Sequence, residues 1–380
     1  MQAKRLISAH PSSAVMLRRT GRGAAENPPN RFEKIHLEPD ADQSSFHSDS
    51  TSWNPDEDGQ GGRPQGPRTQ FFKDHSRTVI ARNDSPDVGF SASLNPYRGC
   101  EHGCIYCYAR PTHEYLGFSA GLDFESKIMV KEDAPELLRQ ELMSSQWQPQ
   151  VIFMSGVTDC YQPVEARLKL TRRCLEVLAE FRNPVFIITK NRLVTRDIDL
   201  LSELARHGAA AVWLSITTLD AELRKVMEPR TAPPAARLAA IRELAQAGIP
   251  VGVNVAPIIP GLTDHELPAI LQAAAEAGAK ATGYTVVRLP YAVAPLFEQW
   301  LTTHFPDRKE KVLNRLRSLR GGKLNDPQWG TRMRGEGIFA GQIAQMFEVA
   351  RRKAGIKNDD RELSTAAFRR PPGAQLSLFS

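Results

Sequence analysis

Downstream of residue 150 the chain alternates between short apolar runs and amphipathic stretches. Val151, Ile152, Phe153 and Met154 form a continuous apolar run, the pattern of a buried strand. Leu168, Cys174, Leu175, Leu178 and Phe181 then recur at helical spacing until Asn183 and Pro184 stop the helix, which predicts a core position for Cys174. The alternation repeats with a strand over 185–188, then a helix marked by Leu200, Leu201 and Leu204 that ends at Gly208. A strand over 211–216 precedes a helix bearing Leu238, Ile241 and Leu244, stopped by Gly248 and Pro250. After a strand over 251–255, Thr263 and Glu266 stand at capping-box spacing ahead of Leu267, Ile270 and Leu271. A strand over 283–287 closes the series. Such alternation predicts βαβ units and a parallel sheet, without separating a doubly wound sheet from a barrel.

The flanks read differently. Residues 1–74 are rich in Ser, Pro, Gly, Asp, Asn and Gln, too poor in apolar surface to offset ordering entropy, so a disordered arm is expected there. Its first 24 residues carry five Lys/Arg and no acid but lack the apolar core of a secretory signal; an organellar transit peptide is the alternative to a disordered arm. Beyond residue 290 the apolar positions turn helical: Leu296, Phe297, Trp300 and Leu301, then Val312, Leu313 and Leu316, then Ile338, Ile343 and Phe347. The expected organisation is an arm over 1–74, an alternating strand–helix domain over 75–290, a helical extension over 291–360 and a flexible tail over 361–380.

Charge adds a partner class. Net charge is +6, but residues 301–380 hold 16 Lys/Arg against 8 Asp/Glu, so the cationic excess lies entirely downstream of the strand–helix domain. Nucleic acid is the partner such a patch attracts, against the alternative of a solvated basic helix face. With 380 residues and 41% apolar content the chain can bury a full-size core, and no run approaches the length of a membrane span. Five cysteines, three of them clustered, argue against a disulfide framework and for a reducing cytoplasm.

Those three carry the chemistry. Cys100, Cys104 and Cys107 are spaced C-x3-C-x2-C, so one tight loop can turn three thiolates toward one point, and soft thiolates select iron–sulfur clusters or zinc. Three ligands leave one position open, which on a [4Fe–4S] cube can hold a small chelating molecule. The alternative is a zinc knuckle closed by His102 or His113, the core of a non-catalytic nucleic-acid-binding module, although neither histidine stands at a spacing that zinc modules favour.

With Tyr106 just before the third cysteine, the motif resembles the hallmark of the radical S-adenosylmethionine superfamily. The longer run from Ser93 to Cys107, continued by Ala109, Arg110, Pro111, Thr112 and His113, resembles the subgroup related to spore photoproduct lyase. The resemblance implies a partial (β/α)6 barrel, with strands near 94, 152, 187, 213, 253 and 285 and the cluster on the loop after the first, which lies near 92–97. It implies a [4Fe–4S] cluster and S-adenosylmethionine as cofactors, an electron donor as partner, and a 5′-deoxyadenosyl radical that abstracts hydrogen from substrate.

It also implies site residues at the carboxyl ends of the strands, where ligands of such folds gather. Ser155, Gly156, Thr158 and Asp159 occupy the place of the Gly-Gly-Glu segment that binds the cofactor's amino group, from which this chain departs. Lys190, Ser215 and Asn254 are further cofactor candidates, the lysine for the methionine carboxylate. Thr217, Thr218, Glu228 and Arg230 are polar candidates nearby, and Cys160 is a candidate to return a hydrogen atom as a catalytic residue. Gln375, Leu376, Ser377, Leu378 and Phe379 resemble the peptide by which bacterial repair proteins dock on the β sliding clamp. DNA repair or modification is the function these features suggest, with RNA or protein modification as alternatives.

Overall fold

The computed structural model describes residues 21–33, 66–357 and 362–371. In chain order its strands are β1 (Gln70–Lys73), β2 (Ile80–Arg82), β3 (Ala92–Leu94), β4 (Tyr97–Arg98), β5 (Lys127–Val130), β6 (Ile152–Met154), β7 (Val185–Thr189), β8 (Ala210–Ser215), β9 (Val251–Ile258) and β10 (Ala281–Val286). The helices are α1 (Leu122–Ser126), α2 (Ala134–Met143), α3 (Glu165–Leu168), α4 (Leu170–Phe181), α5 (Ile198–Arg206), α6 (Ala221–Met227), α7 (Pro234–Gln246), α8 (Leu267–Ala277), α9 (Val293–His304), α10 (Pro306–Ser318) and α11 (Gly337–Lys353).

Seven strands form one sheet in the order β10-β9-β8-β7-β6-β3-β2. Six of them run parallel and are the six expected; β2 is an added edge, antiparallel to β3. The predicted first strand is split, because β4 leaves this sheet to join β1 and β5 in a separate three-stranded one. Apolar runs bury one face under helices: Cys174, Leu175, Leu178 and Phe181 of α4 are all fully buried, as their spacing requires. The capping box at Thr263 and Glu266 does not form. Thr263 Oγ1 instead accepts the Ile259 N–H, and the Glu266 carboxylate accepts the Thr218 hydroxyl and the Leu219 N–H, so both side chains brace loops rather than α8.

The other sheet face lines the barrel interior. There Phe90, Phe153, Phe186 and Trp213 stack in a ladder, with successive ring centroids 4.1, 5.3 and 5.6 Å apart. Trp213 lies against Gly252 and Gly283. A Cβ at Gly252 would come 2.5 Å from the indole nitrogen, so glycine there makes room for the ring.

Between its edge strands β2 and β10 the barrel is open, and the chain sutures the gap. Arg332 pairs with Asp87 at 2.5 Å and bonds Ser85, Asp87 also accepts the Gly330 N–H, and the Val286 N–H of β10 donates to Met333. This suture comes from the C-terminal extension, where α9, α10 and α11 form the helices expected.

Two flank expectations are corrected. Residues 21–33 and 66–74, assigned by composition to a disordered arm, are packed: Arg22, Ala24 and Asn30 are buried, and β1 pairs with β5. Polar contacts order them rather than apolar burial, since Asn30 donates to the carbonyls of Glu114 and Phe118. In the expected flexible tail, Arg369 and Arg370 donate to backbone carbonyls of Glu180, Leu142, Ser144 and Trp147, so residues 362–371 lie on the barrel. The rest of the arm and the clamp-like peptide at 375–379 fall outside the described residues.

Candidate active site

The loop that follows β4 turns through Gly99 and Gly103, both in the left-handed region that favours glycine. Backbone bonds fold it inward: Cys100 N–H donates to Phe124, Cys107 N–H to Cys104, and Ile105 N–H to Met227 at the end of α6. As a result Cys100, Cys104 and Cys107 all line one cavity of about 540 Å³. Gln162 and Glu101 lock the loop to the segment after β6, through Glu101 N–H to Gln162 and Val164 N–H to Glu101.

Behind the loop lies a pair that the sequence did not reveal. Arg110 is fully buried and donates to the carbonyls of Cys104, Ala120 and Gly121, and its remaining charge meets the equally buried Glu125. Glu125 also accepts the N–H groups of Gly23 and Ala24 at 2.9 and 2.8 Å. The hub therefore ties the N-terminal segment to the cysteine loop across about a hundred residues of chain.

Burial pushes all three thiols up, with Lys190 opposing the shift at Cys104 and Cys107 and Arg110 at Cys107. A bound cation reverses that balance by holding the thiolates. Among the described residues no three His, Cys, Asp or Glu side chains approach closely enough to share one metal ion. Ligands of one zinc lie within about 4 Å of each other, whereas thiolates on separate irons of a cube span a wider triangle. The histidines are otherwise placed: His102 bridges Asp159 and Asn191, and His113 is enclosed by Phe118 and Phe124. Three thiols on one cavity, with the nearby His102 and Asp159 committed to each other and to Asn191, Thr189 and the Lys190 N–H, fit a [4Fe–4S] cluster with an open iron rather than a closed zinc knuckle.

Around the same cavity stand Tyr106, Ser155, Gly156, Thr158, Asp159, Lys190, Ser215 and Asn254. Their polar atoms are unequally free. Asp159 is already saturated, accepting from Tyr161 N–H, Thr189 hydroxyl, Lys190 N–H and His102. Burial works upward on its carboxyl, but His102 and these hydrogen bonds outweigh it and hold the group at about 2. Thr158 spends its hydroxyl on the Tyr97 carbonyl. Ser155 adopts a left-handed backbone at φ 75°, and its hydroxyl accepts the Cys160 N–H.

Tyr106 donates its phenol to Glu228, which is fully buried and paired with Arg237. Burial again acts upward on Glu228, while Arg237, Lys190 and the Tyr106 bond bring it down to about 2. Thr217 joins this network, Thr218 binds Glu266, and Arg230 pairs with Glu101, so these act as braces. Among the described residues Lys190 makes no ion pair, its ammonium standing 5.9 Å from the Tyr106 ring.

The expectation for Cys160 is corrected. Its side chain is fully buried in the apolar core and lies outside the cavity lining. Its N–H is held by the Ser155 hydroxyl, and its side chain packs in the core rather than at the barrel mouth where spacing put it.

The same cavity has a further part of its lining, starting at Tyr108, that sequence reasoning missed. Tyr108 donates to the Gly156 carbonyl at 2.8 Å, and the Arg288 guanidinium lies 5.2 Å from its ring. Phe90, Phe153 and Arg332 complete it. Tyr108 follows the third cysteine directly, and that adjacency was the available signal.

Residues 94–274 match the Radical SAM superfamily. An uncharacterised protein of Mycobacterium tuberculosis is 37% identical over 250 residues, covering 64% of this chain and 72% of that protein. A radical SAM Nα-GlyT isomerase of Pseudomonas phage M6 is 25% identical over 252 residues, 66% of this chain and 50% of that one. Among solved structures, spore photoproduct lyase with bound S-adenosylmethionine and dinucleoside spore photoproduct shares the fold, with a TM-score of 0.51, 17% identity and coverage of 74% of this chain and 78% of that one. The fold and site thus define an iron–sulfur enzyme of the radical type. The chain belongs to the radical S-adenosylmethionine superfamily, whose members use a [4Fe–4S] cluster and S-adenosylmethionine.

Proposed function

We propose that this enzyme modifies or repairs nucleic acid, with DNA as the substrate. The observation that carries the reading is the part of the cysteine cavity's lining where Phe90 and Phe153 present stacked rings and Arg288 presents a cation with Tyr108 as its partner. A planar base and an anionic backbone are what such a surface recognises. Spore photoproduct lyase, which shares the fold, was solved with a dinucleoside photoproduct, and this supports the same reading.

In this reading Cys100, Cys104 and Cys107 hold the cluster, and Lys190 meets the methionine carboxylate. Recognition of the cofactor's ammonium falls to backbone carbonyls at Ser155 and Gly156, because Asp159 has no free acceptor. Ser215 and Asn254 face the remainder of the cofactor, and the Tyr106–Glu228–Arg237 network fixes the loop behind it. When bound, the cluster and cofactor supply one-electron chemistry that breaks a carbon–sulfur bond and yields a 5′-deoxyadenosyl radical. The protein's own part is to orient that chemistry and exclude water from the cavity. An electron-donor protein and a reducing cytoplasm complete the proposal. Among the described residues no helix is long and apolar enough to cross a membrane. Residues 375–379 recruit the enzyme to the sliding clamp, and a peptide of residues 371–380 should bind purified clamp at micromolar strength or better, an expectation for short anchored peptides.

Anaerobically reconstituted protein, supplied with reductant and S-adenosylmethionine, tests the reading. DNA should raise 5′-deoxyadenosine formation above the uncoupled rate. Stimulation by RNA alone, or by a protein fraction alone, would replace the DNA assignment.

A further inference from the structure

Outside the cavity three of the four most exposed aromatic side chains among the described residues come together, while the fourth, Trp329, stands apart from them. Tyr115, Tyr291 and Phe32 are 74%, 65% and 54% exposed. They come from three separate segments yet touch through one arginine. Phe32 and Tyr115 have ring centroids 4.9 Å apart, and the Arg31 guanidinium lies 3.8 Å from the Tyr291 ring and 5.1 Å from that of Phe32.

This exposure is held in place from beneath. Glu114, fully buried, accepts Arg31 Nε at 2.7 Å and the Arg31 N–H at 3.3 Å, and Asn30 Oδ1 accepts the Phe32 N–H. A buried carboxylate and a buried amide thus order a segment whose aromatic ring they leave in water, the reverse of what stability alone selects. Tyr291 adds a positive φ of 49°, uncommon for any residue but glycine.

In sequence Tyr291 lies three residues beyond Arg288, and Tyr115 eight beyond Cys107; Arg288 and Cys107 line the cavity, whereas the four planar groups stand outside its lining.

We infer that Arg31, Phe32, Tyr115 and Tyr291 form a stacking platform for unpaired bases of a single-stranded DNA segment; this rests on the nucleic-acid reading above. Flat aromatic faces interleaved with a guanidinium bind bases without regard to sequence. The charge of Arg31 is matched by Glu114, so the platform works through ring faces rather than through phosphates. That distinction can be measured. Loss of a phosphate contact flattens the dependence of affinity on salt, whereas loss of stacking lowers affinity and leaves the slope unchanged.

The full-length holoenzyme is titrated with a fluorescein-labelled oligothymidylate, and with a duplex, across a salt series. The platform predicts tighter binding of the single strand and a loss of about tenfold or more in the combined Phe32→Ala, Tyr115→Ala and Tyr291→Ala variant, an effect of the size that base stacking carries. The salt slope, melting temperature and iron content should stay as in the parent, and Tyr115→Trp should retain affinity with a quenched indole emission on binding. Undiminished binding by the triple variant overturns the platform and leaves the nucleic-acid reading standing. A flattened salt slope in that variant also overturns it, in favour of a charge contact. If the parent binds neither strand nor duplex, the nucleic-acid reading itself falls.

Discussion

The two walls of the cavity are built on opposite principles. On the cysteine side, Arg110 with Glu125 and Arg237 with Glu228 are ion pairs removed from water, and nearly every polar atom near the loop is committed to a partner. In the other part of the lining Tyr108 is half exposed, Arg288 rests on a ring face, and the Arg332–Asp87 suture joins surface loops. Breaking a buried pair strands a charge in low dielectric, so the first wall is rigid by construction. The second can rearrange its side chains cheaply. Such a division suits an enzyme that must hold one cofactor in a fixed pose and admit a larger, variable partner.

Complete loss is expected from Cys104→Ala, which should abolish both the cluster's brown absorption and 5′-deoxyadenosine formation. Retained cofactor cleavage in that variant would remove the loop from the chemistry. Next in size, Arg110→Ala leaves Glu125 unpaired and should destabilise the fold by about 3–5 kcal/mol, read by urea denaturation. A loss near zero would mean that the cysteine wall is not held from behind.

Acid should attack the same wall. Asp159 and Glu228 are held at about 2, below their ordinary 3.8 and 4.5, so each contributes stability that is present above its ordinary value and disappears as pH falls toward 2. Urea midpoints should therefore drop as pH is lowered from about 5 to 2; a flat profile contradicts the two networks. Lys190→Ala should weaken S-adenosylmethionine binding by about tenfold, the value of one exposed charge contact, with the cluster's absorption intact. Unchanged affinity would take Lys190 out of the site. The smallest effect belongs to Cys160→Ala, which should cost about 1 kcal/mol of packing and leave cofactor cleavage alone. Loss of cleavage with an intact fold would return Cys160 to the active site.

What could be read beforehand follows from how local each signal is. Five of the six parallel strands announce themselves as apolar runs, the first following only from the family resemblance, and C-x3-C-x2-C places three ligands within eight residues, so both were legible. Arg110 and Glu125 each look like ordinary surface charges, since nothing in the neighbourhood of one points to the other. Thr263 and Glu266 have capping-box spacing, yet loop contacts with Ile259, Thr218 and Leu219 outcompete the helix end. Spacing put Cys160 at the barrel mouth, yet its side chain packs in the core. The aromatic platform joins residues 31, 115 and 291, and only tertiary structure brings those together.

The aromatic ladder, with Trp213 laid across Gly252 and Gly283, has a bearing on the timetable of turnover. It floors the chamber while the Asp87–Arg332 suture closes its flank, which leaves traffic to the mouth. On the nucleic-acid proposal, a small molecule reaching the cysteines would board before the macromolecule settles, and its fragments would wait for that macromolecule to depart, so that departure of the large product would reset the enzyme for another cycle.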